Sequence, residues 1–273
     1  MIYRTITPPP PLDRFIENLW YWEADEKPGY AKDAIIASSR IGLLISLSED
    51  ELRWYDGEEY GQKNRLSGMA LCGTQAGPFA IDAHQPKMMG IHFHPGGTWP
   101  FLAPSGNEFH NRHVSLEDFW GADARRLHQR LVQAPTPDDK LAILLDAFLS
   151  RAPRDLAIHP AVAEALACFH HAPHRASVGR TAKRVELSPR KFIRLFDEQV
   201  GLTPKLYLRI ARFGRLMADL HARSDVAWWD VVEQNGYYDQ SHFIREFREF
   251  SGFSPTEWLK RKGPFVAHIP LAD

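Results

Sequence analysis

The chain has 273 residues, 44 % of them hydrophobic and 25 % charged, an ordinary globular composition with room for two domains. Its longest apolar run, Ile41–Leu47, is too short to cross a bilayer, the N-terminus meets Pro8–Pro11 where a signal peptide would be apolar, and two distant cysteines, Cys72 and Cys168, exclude a disulfide scaffold or a cysteine-based zinc motif. The formal net charge of −1 conceals an asymmetry, because Ala176–Lys262 carries 16 Lys and Arg against 11 Asp and Glu on an otherwise acidic chain, as expected for a nucleic-acid-binding module joined to something else.

Residues 1 to about 115 read as β-rich. Ile35–Ile36, Ile41–Leu47, Glu51–Tyr55, Met69–Gly73, Phe79–Asp82 and Met88–His94 are short apolar or alternating runs separated by Gly, Pro, Asn and Asp. Leu12–Trp22 is aromatic and fits either helix or strand. Leu116–Gln133 and Asp138–Arg151 have helical periodicity, with Ser115 and Thr136–Pro137 as starts. Pro153 marks a boundary, and from Pro160 to about Lys262 the pattern is helical. The expected class is α+β: a β-rich sandwich or barrel-like domain with two following helices (1–152), then an all-α domain (153–273).

The most informative feature is a repeat. Residues 187–208 and 238–259 align 51 positions apart with eight identities in 22: Phe192/Phe243, Ile193/Ile244, Arg194/Arg245, Phe196/Phe247, Glu198/Glu249, Gly201/Gly252, Pro204/Pro255 and Leu208/Leu259. Ser188–Pro189, Thr203–Pro204 and Ser254–Pro255 each put a capping hydroxyl before a first-turn proline, and Gly201 and Gly252 suit left-handed helix ends. Between the copies, Pro204–Ala222 carries Leu206, Ile210, Phe213, Met217 and Leu220 on one stripe, a stiff connecting helix.

On a helical wheel Arg190, Lys191 and Arg194 lie away from Phe192, Phe196 and Val200. The second copy places Ser241, His242 and Arg245 at the matching positions, with Gln240 in its first turn. Arg, Lys, Gln and Ser are the residue types that read base edges, and the start of a helix is where a helix-turn-helix recognition helix meets the major groove. Val178–Val185 and Ala227–Asn235 read as supporting helices. Pairing Ala182 with Val232 makes the second turn one residue longer than the first.

This region resembles the C-terminal DNA-binding domain of the AraC/XylS family of bacterial transcription regulators, whose signature matches the stretch from Gly236 to Pro255. The resemblance implies two helix-turn-helix motifs, about 176–200 and 225–251, joined by a helix at about 204–222 and entering successive major grooves of double-stranded DNA. It transfers recognition roles to Arg190, Lys191 and Arg194 in the first motif and to Gln240, Ser241, His242 and Arg245 in the second. The chain departs from the family pattern at Glu186, where the first turn often has glycine, at Asn235, which replaces an apolar residue, and at Val178-Gly179-Arg180-Thr181. The N-terminal half, from Pro8–Tyr21 through Gly90–Gly97 to Phe119–Gly121, looks like a less-studied domain found on some family members. By analogy it brings in a small-molecule effector of unknown site, a homodimer and an RNA polymerase contact; no membrane partner, cofactor or enzymatic activity is expected, and the location is cytoplasmic.

An alternative is a cupin-like, metal-dependent enzyme or sensor built on His92 and His94, which share a face of one strand, with His84, His110 or His113 and Glu108 completing an iron or zinc site. Set against it, the two imidazoles point outward from an edge strand whose Ile91 and Phe93 face the core. Trp20, Trp22, Trp54, Trp99 and Trp120 are expected to fill the core, with a pocket lined by them as the alternative. His170, His171 and His174 are expected at the polar end of the helix from Pro160.

Overall fold

The alternating runs of the first half form strands in the computed structural model, which describes residues 1–102, 106–152, 157–171, 173, 176–223, 226 and 228–271. In chain order these are β1 (Ile2–Ile6), β2 (Ile16–Glu23), β3 (Lys32–Ile35), β4 (Gly42–Ser46), β5 (Glu51–Asp56), β6 (Gln62–Ser67), β7 (Met69–Cys72), β8 (Phe79–Asp82), β9 (Lys87–Phe93) and β10 (His113–Ser115). Leu12–Trp22 divides into a 3-10 turn at Leu12–Arg14 and the start of β2. A last strand, β11 (His268–Leu271), comes from the far end of the chain. The strands build two antiparallel sheets, ordered β1-β2-β9-β4-β7-β10 and β11-β3-β8-β5-β6.

One face of the larger sheet presents Leu19, Tyr21, Leu43, Ile45, Leu71, Met89, Ile91 and Phe93. Three helices cover it: α1 (Glu117–Trp120), α2 (Ala122–Gln133) and α3 (Pro137–Leu149), through Leu127, Leu131, Leu144 and Phe148. The single helix expected over Leu116–Gln133 is broken at Gly121 (φ 53°, ψ −130°), a backbone conformation open to glycine. Thr136 caps α3 by accepting from the Asp139 N–H. Lys140 is buried, and its Nζ donates to the Leu131 and Ala134 carbonyls at the end of α2, at 2.5 and 2.6 Å.

The other face of that sheet meets the smaller one across side chains as short as Ala70, leaving a narrow cavity whose lining includes Leu44, Leu52, Trp54, Cys72, Phe79 and His113. Trp20 and Trp22 pack beside Leu52 and Met88, Trp120 packs on the helix-covered core, and Trp99 is half-buried. The aromatic residues thus divide between core and cavity. Trp54 and Phe79 flank the His113 ring at 4.8 and 4.7 Å, and its Nδ1 is buried without a hydrogen-bond partner.

The helices of the second half are α4 (Pro160–His171), α5 (Val178–Arg184), α6 (Pro189–Val200), α7 (Pro204–Ala222), α8 (Trp228–Gln234), α9 (Gln240–Ser251) and α10 (Pro255–Arg261). Pro153, His174 and Ala227 lie outside the described residues. Ser188, Thr203 and Ser254 cap α6, α7 and α10 through their hydroxyls, and Ser254 completes a capping box with Glu257. His170 and His171 end α4, where Arg215 of α7 donates to both of their carbonyls. The core of this half takes in Ala34, Ile36, Ala37 and Ile269, so the two halves share apolar packing. The last strand, β11, pairs with β3 of the smaller sheet rather than staying with the helices that precede it. Among the described residues no helix is long and apolar enough to cross a membrane.

Burial pushes the His113 pKa down from 6.5 to about 4. The folded protein therefore holds this ring neutral while the unfolded chain takes up a proton below about pH 6.5, so stability falls as pH drops from 6.5 towards 4. The stability gap between His113→Phe and the wild type is expected to move in the variant's favour by roughly 3 kcal/mol between pH 7 and pH 4, at about 1.4 kcal/mol per unit. Urea titrations at several pH values measure it; a gap independent of pH contradicts the assignment.

Candidate nucleic-acid interface

The two copies of the repeat become α6 and α9, each preceded by a short helix and each followed by a glycine in the left-handed region, Gly201 at φ 84° and Gly252 at φ 83°. Four residues separate α5 from α6 and five separate α8 from α9, the longer second turn that the sequence indicates. Glu186 occupies a left-handed conformation (φ 55°) in the first turn, where Gly236 (φ 67°) stands in the second. Asn235 turns back to donate to the Val231 carbonyl at 2.9 Å, a use for its amide that an apolar residue would not need.

Both α6 and α9 are held by aromatic residues. Phe192, Phe196 and Val200 of α6 are buried, as are Phe243, Phe247 and Phe250 of α9. Phe196 meets Phe169 of α4 and Tyr207 of α7, and Phe247 meets Phe213 of α7 and Trp258 of α10. Burying large rings on one side fixes the rotation of each helix and leaves the other side in water. Arg190, Lys191 and Arg194 are exposed on α6, and Gln240, Ser241 and Arg245 are exposed on α9. Arg194 lies 3.8 Å from Glu198, a solvent-exposed pair that holds it weakly.

His242 is set apart from the others. It is half-buried, lies edge-on to the Tyr237 ring at 5.6 Å, and places Nε2 4.0 Å from Glu246, so part of its surface is spent inside the second helix-turn-helix unit, or second head, as α5 and α6 form the first. Asp239, at the position matching Ser188, caps α9 by accepting from the His242 N–H at 2.7 Å. Tyr238 beside it is 92 % exposed and Trp229 on α8 is 72 % exposed, large apolar surfaces flanking the second head.

Sequence reasoning missed the group that orients the second head. Glu246 is 1 % exposed, yet it is a carboxylate on the packed side of α9. Arg209 Nε reaches its Oε2 at 2.8 Å and Arg212 Nη2 reaches its Oε1 at 2.6 Å, both from the connecting helix α7. Arg209 also binds Glu249 at 2.5 Å and lies over the Phe250 ring, while Arg212 lies over Tyr237. Burial alone would raise the Glu246 pKa; the hydrogen bonds and charges of the two arginines outweigh it and hold the carboxyl below its ordinary range. The available signal was Glu246 standing where the first copy has Leu195, on a packed face, with Arg209 and Arg212 three apart on α7.

Both heads also touch the N-terminal half at their C-terminal ends. The Thr74 hydroxyl donates to the Gly201 carbonyl at 3.1 Å, Asn107 reaches Asp197 at 3.2 Å, and a side chain on Gly201 would run into the Gly106 backbone. At the second head the Ala37 N–H donates to the Phe250 carbonyl at 2.8 Å, and Gly252 packs against Tyr60 and Pro78.

The metal reading of His92 and His94 is not favoured by the geometry. Their strand, β9, lies inside the larger sheet between β2 and β4, which corrects the edge-strand expectation. His92 stacks on Trp20 with Nδ1 3.2 Å from the Asn18 amide oxygen, and no group of three His, Cys, Asp or Glu among the described residues could hold a metal ion.

Comparison with known families matches a helix-turn-helix domain to residues 181–261 and a domain of unknown function, DUF6597, to residues 4–115. No curated protein matches the sequence. Among solved structures the chain is similar to ToxT from Vibrio cholerae, at 9 % identity over 95 % of this chain and 98 % of that one, with a TM-score of 0.43. It is also similar to the C-terminal domain of AraT, a response regulator from Geobacillus stearothermophilus, at 20 % identity over 38 % of this chain and 88 % of that one, with a TM-score of 0.36. A DNA-binding transcriptional dual regulator from Escherichia coli K-12 matches at 21 % identity over 37 % of this chain and 97 % of its own, with a TM-score of 0.32.

Two stability outcomes follow from this packing. Glu246→Ala leaves Arg209 and Arg212 without their shared partner and is expected to cost about 3 kcal/mol in chemical denaturation, against a much smaller loss for exposed Glu249→Ala. Because the folded pKa of Glu246 is depressed, its contribution is present above the ordinary carboxylate value and is lost as pH falls below it. Glu186→Gly relieves a left-handed residue and is expected to stabilise the first turn by up to about 1 kcal/mol; a destabilised variant would show that the Glu186 side chain holds the turn by other means.

Proposed function

We propose that the chain, a DNA-binding transcription regulator with an AraC-type helix-turn-helix domain, reads its operator with α6 and α9 set in successive major grooves. The observation that carries this reading is the repeat itself: two helices with buried aromatic undersides, each presenting exposed base-reading side chains near its start. Arg190, Lys191 and Arg194 of α6, and Gln240, Ser241 and Arg245 of α9, are the contacting set, and the partly engaged His242 contributes from the edge of the second head. Arginine suits guanine and glutamine suits adenine through paired hydrogen bonds. Phosphate neutralisation supplies a large share of the affinity, so binding falls steeply with salt.

The N-terminal half acts as the regulatory half in this reading, supported by its contacts with the ends of both reading helices. Whatever binds that half, a small effector or a second copy of the chain, reaches DNA affinity by changing the population in which those contacts hold the heads together.

Selection of a binding site from random duplexes, followed by titration of variants, tests the proposal. Arg190→Ala and Gln240→Ala are each expected to lose about 1–3 kcal/mol on the selected site and much less on random DNA. Equal losses on both would show that these side chains do not read bases.

A further inference from the structure

The groove between α7 and the start of α5 has a chemistry of its own. It is a pocket of about 230 Å³ lined by Lys205, Leu208, Arg209 and Arg212 of α7, by Pro173 and Ala176 ahead of α5, and by Val178 at its start. The three cationic residues recur at positions four and three apart, so they share one stripe of the connecting helix. Two carboxylates, Glu246 and Glu249, pair with the arginines, and Lys205 stands exposed at the rim. Three positive charges against two negative leave the groove cationic. Arg212 also keeps its Nε buried without a hydrogen-bond partner. That atom is shut off from solvent, and Arg212 also donates through Nη1 to the Gly236 carbonyl at 3.4 Å, so Arg212 acts through its charge while Lys205 supplies the free donor. A pocket of net positive charge with an exposed ammonium favours a compact oxyanion over a neutral or cationic ligand.

We propose that this groove is a phosphate-binding pocket on the connecting helix, taking one phosphate group through Lys205 and the charge of the adjoining Arg209 and Arg212. In the DNA complex, and resting on the two-headed reading above, that group is a backbone phosphate between the two grooves read by α6 and α9. The same chemistry would accept a free phosphate ion. A phosphate bound here links α7 to the approach to α5 and, through Arg209 and Arg212, to Glu246 of α9. It therefore touches the elements that set the spacing of the heads.

The test uses the full chain and Lys205→Gln, an exposed substitution expected to leave folding unchanged. In the first arm, affinity for the selected duplex and for random duplex is measured across a sodium chloride series. Loss of one phosphate contact flattens the slope of log K against log salt by about 0.9, equally on both duplexes. In the second arm, inorganic phosphate is added to the DNA-free protein, with sodium chloride at matched ionic strength as control. A saturable rise in Tm in the wild type, absent in Lys205→Gln, identifies a site for the free ion. Either result supports the pocket and tells its source apart. An unchanged slope together with no phosphate-specific Tm rise overturns it, even if Arg190→Ala and Gln240→Ala confirm base reading. If the chain fails to discriminate between duplexes, the two-headed reading falls while the inorganic phosphate arm still decides the pocket.

Discussion

The orientation of the second head depends on one buried carboxylate. Glu246 lies on the packed side of α9, where its repeat counterpart Leu195 would be at home, and taking a carboxylate out of water is costly unless its oxygens are satisfied. Arg209 and Arg212 satisfy both oxygens from the same face of α7. Apolar contacts tolerate sliding and rotation; a carboxylate gripped at both oxygens by two guanidinium groups does not. The connecting helix thus holds the first head through rings such as Tyr207 against Phe196, and the second through rings plus charge. Two copies of one motif have diverged in how they are anchored while keeping what they present to solvent.

The same two helices are also held at their other ends. A helix that stops in the left-handed region needs glycine and leaves its last carbonyls available. Thr74 binds the Gly201 carbonyl and the Ala37 N–H binds Phe250, so the N-terminal half takes hold where each reading helix ends. Bare glycine backbone allows this approach, because a methyl group on Gly201 or Gly252 would meet Gly106 or Tyr60. The final strand adds a third tie, running back from the helices to extend the smaller sheet beside β3. With α7 between the heads and the β-rich half across their ends, the spacing of the exposed faces of α6 and α9 becomes a property of the whole chain.

Much of this was legible in the residues. The duplication from 187 to 259, the capping hydroxyls at Ser188, Thr203 and Ser254, the closing glycines and the extra residue in the second turn are local or periodic signals, and each appears where the pattern put it. The exposure of Arg190, Lys191, Arg194, Gln240, Ser241 and Arg245 follows from the same periodicity, since burying one face of a helix exposes the other. Most interior strands were legible for a similar reason, being apolar or alternating; β2, in the aromatic segment Leu12–Trp22, was left open between helix and strand. The strands that escaped notice, β1, β6, β10 and β11, are the four sheet edges. β6 is polar and β10 has three residues, as edge strands often are because an unpaired apolar edge invites aggregation, so they carry little periodic signal.

Sequence by itself therefore determined the two repeated helices, the Ser188 cap of the first and most of the side chains they offer to solvent, because these depend on neighbours three or four residues away; the Asp239 cap of the second came from the structure. Tertiary structure alone decided that Glu246 is buried against Arg209 and Arg212, that His242 turns partly inward, and that residues 268–271 join a sheet begun at residue 32. Those facts pair groups far apart along the chain, and whether a charged side chain is solvated or gripped depends on which distant surface arrives beside it.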